Sequence, residues 1–355
     1  MSARLPIVPR LSLATLATLA LGALGGGLFF VLGLPLPWML GAILVVFVAV
    51  MAGAPLEGPD NLRPFVIPVI GVMLGSGFDT DTFGNLLHWG LSLLGLTAYI
   101  GIAALLVVPL YMKVGRLDPY TAFFSAMPGG INEMMVIGEA MGGDAKRIIL
   151  AHAARIVLSI SIIAFWFRVV LGYEVSGIIT NSDPTAALTW ASAGILLICA
   201  VAGSWFGTLL RLPAPGLLGP LMFSAVAHMV GITHSSPPVA LIIAAQIIMG
   251  ATMGCRFRGA SGRLVAQTVA LSFGGTTIML AVTLAAALAF HTAFGQTTEQ
   301  VILAYAPGGL TEMSLVALAM EADVAYISIH HLVRIVILIA IAPTLLTRIA
   351  KRLAY

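Results

Sequence analysis

Two short stretches of the chain hold the residue types that could handle an ion or a small charged solute. Residues 128–134 read PGGINEM and residues 307–313 read PGGLTEM, so each sets a glutamate three positions after a Pro-Gly-Gly break. Further along, His152 and Arg155 recur as His331 and Arg334, a spacing of i, i+3 that puts each pair on one helical face. A carboxylate in such a place can take up H⁺ or Na⁺, and a planar guanidinium can grip a carboxylate or sulfonate in two-pronged fashion. The candidate substrate- and ion-binding set is therefore Pro128, Gly129, Gly130, Asn132, Glu133, His152 and Arg155, with Pro307, Gly308, Gly309, Thr311, Glu312, His331 and Arg334. No catalytic residue, metal ligand or cofactor is expected.

What surrounds these residues is apolar. Of 355 residues 60% are hydrophobic and 9% charged, against roughly 25% charged in a soluble domain, so a surface facing water cannot be built from this chain. Several apolar runs reach the roughly 20 residues a helix needs to cross a bilayer, and the alternation of a barrel strand is missing. No polar stretch is long enough for a soluble catalytic or nucleic-acid-binding domain. The net charge of +3 is read as topology and not as a nucleic-acid footprint. Cys199 and Cys255 stand in or beside apolar segments with no metal-ligand spacing, and are expected as packed thiols.

The sequence is duplicated. Residues 126–160 lie over 305–339 at a constant offset of 179, with 14 of 35 positions identical, and an offset of 178 aligns LPLPWMLG (34–41) with LPAPGLLG (212–219). Residues 1–171 and 187–355 thus form two repeats joined by a linker at 172–186. Each holds six apolar segments, near 11–32, 36–53, 64–78, 87–112, 118–141 and 146–171, then 187–208, 214–232, 239–254, 266–291, 298–320 and 325–350. The first has the outline of a signal peptide, but its counterpart at 187–208 lies mid-chain, which makes it a retained helix.

Basic residues gather on the cytoplasmic side, which tests how many segments cross. If all twelve cross from a cytoplasmic N-terminus, nine Lys and Arg fall inside and six outside; if the fifth of each half enters and leaves on one side, fourteen fall inside and Arg168 alone near the outer end. The second arrangement is expected. It puts Trp38, Trp89, Trp166 and Trp190 at outer segment ends as interfacial anchors, and both termini in the cytoplasm. Five crossings per half are odd, so the second copy is inverted. The fold expected is an all-α polytopic membrane protein of two inverted-topology repeats, each with five spanning helices and one interrupted helix, an architecture that places transport sites at the midplane.

Pro and Gly-Gly should split the fifth segment into pieces of about 10 to 12 residues, each roughly 15 to 18 Å long. Asn132 and Thr311 are expected to cap the second piece. Capping is worth on the order of 1 kcal/mol, whereas an acidic residue at mid-bilayer costs about 2.5 to 3.5 on insertion scales, so the glutamates are read as handling an ion or substrate. A carboxyl group taken out of water favours its neutral form, which makes proton coupling feasible. For Arg155 and Arg334 two readings stand, an Arg–Glu pair tying the sixth helix to the break and a grip on an anionic substrate. His152 and His331 are expected as hydrogen-bonded packing residues. Gly71, Gly75, Gly250 and Gly254 suit close helix packing, the LPxP turns suit helix breaks, and Asp144 and Asp323 suit caps of the sixth helix.

The paired PGG(I/L)(N/T)EM motifs, the H-x-x-R-I-V helices and the LPxPxxLG turns make the chain resemble the membrane AbrB-type proteins of bacteria, whose members are labelled candidate regulators or ammonia monooxygenase-like. The resemblance covers nearly the whole chain and, more distantly, extends to the cation/proton antiporter and anion transporter group, in which interrupted helices meet at the substrate site. It implies a transporter fold without naming a substrate. The reading from sequence is a secondary active transporter of the bacterial inner membrane, with a small solute, an anion by preference, and H⁺ or Na⁺ as coupling ion. Its partner is the lipid bilayer, with no nucleic acid and with a homo-oligomer compatible. A passive channel is the alternative, followed by a membrane-bound enzyme or a regulatory membrane protein.

Overall fold

The structure is a computed structural model that describes residues 11–78, 89–173, 175, 188–212, 214–320 and 322–353, with side chains up to residue 341. The described residues form α-helices and two short helical turns, without strands. In chain order they are α1 (Leu13–Val31), α2 (Pro37–Met51), α3 (Arg63–Gly75), α4 (Gly90–Lys113), α5 (Pro119–Ala126), α6 (Ile131–Ala140) and α7 (Ala145–Phe165). The second half supplies α8 (Trp190–Leu209), α9 (Pro215–Met229), α10 (Val239–Cys255), α11 (Gly262–Phe294), α12 (Thr298–Tyr305), α13 (Leu310–Ala319) and α14 (Val324–Leu353). Six are long and apolar enough to cross a bilayer: α1, α4, α7 with its continuation to Val170, α8, α11, and α14 over Val324–Ile341. These are the first, fourth and sixth segments of each half, and they make the chain a multi-pass membrane protein. Most of the 172–186 linker lies outside the described residues.

Local chemistry sets the helix ends. Ser12, Asp118, Asp144, Thr189, Ser261 and Thr297 each accept a hydrogen bond from the amide three residues on, satisfying a donor the first turn leaves open. Asp323 does the same for the amide of Tyr326 at 2.9 Å, so both aspartates expected as caps of the sixth helix serve as such. Pro occupies the first turn of α2 and α5, where its missing N–H costs nothing. Left-handed backbone recurs at the duplication offset: Gly33 with Arg211, Leu36 with Ala214, Gly53 with Gly231, and Arg116 with Gly295. The turns of the two halves are therefore alike even where only one copy has glycine.

Two compact units emerge, and each draws on both halves of the sequence. One comprises Met1–Met73, Thr180–Ser224 and Thr233–Gly259; the other comprises Leu74–Ile179, Ala225–Ile232 and Ala260–Tyr355. The first is held by backbones in direct contact. A Cβ on Gly41 would overlap the carbonyl of Gly25, and one on Gly219 that of Gly203, so α1–α2 and α8–α9 pack through the same pair of glycines. Gly71 abuts the Leu217 carbonyl while Gly250 abuts that of Met39, so the third segment of each half packs on the second segment of the other. Small residues permit this approach, and within a membrane dispersion and not water drives it.

In the second unit α7 packs on α5, α6 and α11, and α14 packs on α4, α12 and α13. Trp89 corrects the sequence reading: it is fully buried, edge-on to Tyr326 at 5.5 Å between ring centroids, and not an interfacial anchor. Trp166 and Trp190 are exposed.

Candidate functional site

The fifth segment of each half is broken where the sequence places PGG. Its pieces have 8 residues (α5, α12) and 10 residues (α6, α13), the first shorter than expected because Met127 and Ala306 are already extended. At 1.5 Å per residue they are roughly 12 and 15 Å long.

The expected caps are a second correction. The N-cap of α6 is Gly130 and that of α13 is Gly309, neither with a side-chain cap bond, so Asn132 and Thr311 stand inside the helix, one residue past its start. The glutamates do the folding back instead. One carboxylate oxygen of Glu133 occupies the space a Cβ on Gly130 would need, and Glu312 does the same at Gly309. A Cβ on Gly129 would collide with the buried Met134 side chain, and one on Gly308 with Met313. This explains the motif: the first glycine makes room for the methionine and the second for the carboxylate, which sits at the positive end of the second half-helix. Glu312 is 7% exposed, while Glu133 is half-buried.

His-x-x-Arg serves the other side of the break. Nε2 of His152 donates to the Phe124 carbonyl at 2.7 Å, and its Nδ1 accepts from Arg155 Nη2 at 2.9 Å. Arg155 Nη1 donates to the Met127 carbonyl at 2.8 Å, and its Nε reaches the Pro307 carbonyl of the other break at 3.2 Å. His331 repeats the pattern on Leu303 at 2.9 Å, and Arg334 donates to Ala306 and, at 2.7 Å, to Gly308. Each pair supplies donors to carbonyls that a helix end leaves open, with a cation at the negative end of α5 or α12. The partners found for both arginines are backbone carbonyls and a histidine. Ion pairs are found elsewhere, at Arg63–Asp60 and Arg147–Asp144.

All fourteen candidate positions thus line two equivalent breaks, and Arg155 links one to the other. Both guanidiniums, each on a residue 2% exposed, reach the second break, Arg155 at the Pro307 carbonyl and Arg334 at those of Ala306 and Gly308 on either side of it. Among the described residues, Nε of Arg334 is buried without a partner, as are the hydroxyls of Ser125 and Thr276. The sequence reading passed over Tyr99 and Tyr111; the signal was their spacing with Ala103 and Val107, which marks the buried stripe of α4. It also missed a polar cluster in which three side chains of the second half meet Ser92 of the first. There His330 Nε2 meets Ser92 Oγ at 2.8 Å, Tyr326 OH meets the same oxygen, and Tyr305 OH donates to the Ser92 carbonyl.

Against known proteins, a family model described as "Transition state regulatory protein AbrB" matches residues 38–350. The uncharacterized protein YhjN of Bacillus subtilis (strain 168) is 25% identical over 358 residues, covering 92% of this chain and 90% of that one. A protein of Escherichia coli (strain K12) named as a candidate regulator, AbrB, is 22% identical over 329 residues, covering 89% and 91%. The chain belongs to the AbrB family.

Proposed function

We propose that this AbrB-family membrane protein is a secondary active transporter that moves a small organic anion by alternating access, coupled to H⁺ or Na⁺. The observation that carries the reading is the pair of buried arginines. Two like charges held close together out of water are costly unless an opposite charge joins them. Arg155 and Arg334 have carbonyl and histidine partners, and the spare Nε of Arg334 leaves a donor for an incoming carboxylate or sulfonate. Glu133 and Glu312, at the N-termini of α6 and α13, are the groups we assign to the coupling ion. Displacement of either carboxylate from its glycine would alter the break next to the arginines, which gives the ion a route to the substrate.

The duplicated breaks and turns support two repeats of inverted topology in the bacterial inner membrane with cytoplasmic termini, on the charge distribution described above. A regulatory role, as the Escherichia coli relative is named, would leave the paired breaks without a chemical task. Reconstitution in liposomes tests the reading. Small carboxylates and sulfonates should evoke saturating currents that need an H⁺ or a Na⁺ gradient. Ohmic currents independent of either gradient would make the protein a channel.

A further inference from the structure

We propose that the cavity beside α4, α7 and α11 is the port through which the anion reaches Arg155, and that Tyr111, braced by Ser272, closes it on the side of the arginine. This rests on the anion reading above. The cavity has a volume of about 570 Å³, within the size range of small-molecule sites. Arg116 and Arg147 stand in its wall with Gln267 and Thr268, and most of the remaining lining is apolar. Arg147 also contacts the Asp144 carboxylate at 3.4 Å, which offsets part of its charge. Arg116 carries its own charge into the wall from a left-handed turn, φ 50°, where the other half has Gly295. A wall with two guanidiniums, an amide and a hydroxyl suits a small anion better than a neutral or cationic solute.

The cavity reaches the helix that carries Arg155. Tyr111 and Ala151 both line it and both are 2% exposed. Ala151 is one helical turn before Arg155 on α7, so the two share a face. The Tyr111 hydroxyl donates to Ser272 Oγ at 3.3 Å, and Ser272 Oγ donates to the Ala151 carbonyl at 3.3 Å. These long bonds join all three helices behind the lining residues Tyr111 and Ala151. An anion held by Arg116 and Thr268 would need only this relay to part in order to approach the guanidinium.

The test uses Thr268→Cys and the more exposed Gln267→Cys in a background where Cys199 and Cys255 are replaced by Ser. Each is reconstituted in liposomes and treated from either face with a membrane-impermeant anionic thiol reagent. The proposal predicts labelling from the face that also labels Lys146→Cys, protection of several-fold by a transported carboxylate or sulfonate, and loss of uptake once labelled. Tyr111→Ala should raise gradient-independent leak of the same anion several-fold. Uptake by the parent protein with neither cysteine labelled nor protected would overturn the port and leave the transporter standing. Labelling with anion protection but no uptake of any anion would keep the port and sink the transport reading. Protection that follows the anionic-lipid content of the vesicle, and not the solute, would assign the cavity to a lipid headgroup and overturn the proposal.

Discussion

At the residue scale the glycines of the break are as informative as the charged groups. Gly130→Ala places a methyl where the Glu133 carboxylate rests, so the carboxylate must leave the helix N-terminus. We expect this variant to stay folded, within about 1 kcal/mol of the parent, yet to lose most gradient-driven uptake. Gly27→Ala, whose Cβ meets nothing, should leave uptake unchanged. Arg155→Met strips donors from the Met127 and Pro307 carbonyls. At about 1 to 3 kcal/mol for each buried group left unpaired, thermal unfolding should shift down markedly, whereas an arginine serving substrate alone would leave it in place. The candidate residues were legible in the sequence because charge inside an apolar, duplicated pattern is conspicuous. Their partners were not. Asn132 and Thr311 have the type of a cap, but the cap position falls on Gly130 and Gly309, the last extended residues before the second half-helix, which no side-chain preference reveals. The carbonyl clamp was equally hidden, because backbone acceptors are the same at every position.

At the element scale the twelve apolar segments correspond closely to the helices, because long apolar runs bounded by Gly, Pro and capping residues leave little choice of ends. The broken fifth segment was legible for the same reason. The close crossings were legible only in part. Gly71 and Gly250 stood out by their repetition, yet the pairing of Gly25 with Gly41 and of Gly203 with Gly219 is a contact between segments that alignment of the halves does not expose. Gly41→Val would force the backbones of α1 and α2 apart. It should cost at least the roughly 1 to 3 kcal/mol typical of overpacking, read as a lower unfolding temperature in detergent. Trp89 shows the opposite error: a tryptophan at a segment end suggests the lipid interface, but Tyr326 from the other half covers it.

At the scale of the whole molecule, each compact unit takes corresponding segments from both halves, with the breaks and the arginines in the second. That regrouping could not be read from a linear comparison, which gives the duplication but not which copies pack together. Topology is the matching prediction. With the fifth segment entering and leaving on one side, Lys113→Cys and Lys146→Cys should label from the same face, as should Gln296→Cys and Ala322→Cys from the opposite one; labelling of Lys113 and Lys146 from different faces would remove the inverted arrangement. The most direct test of the central claim is gradient-driven anion uptake by the Glu133→Gln, Glu312→Gln double variant beside the parent, with unfolding temperature measured on the same samples. The account predicts a folded protein that no longer couples uptake to either cation. Undiminished coupled uptake by that variant would contradict it.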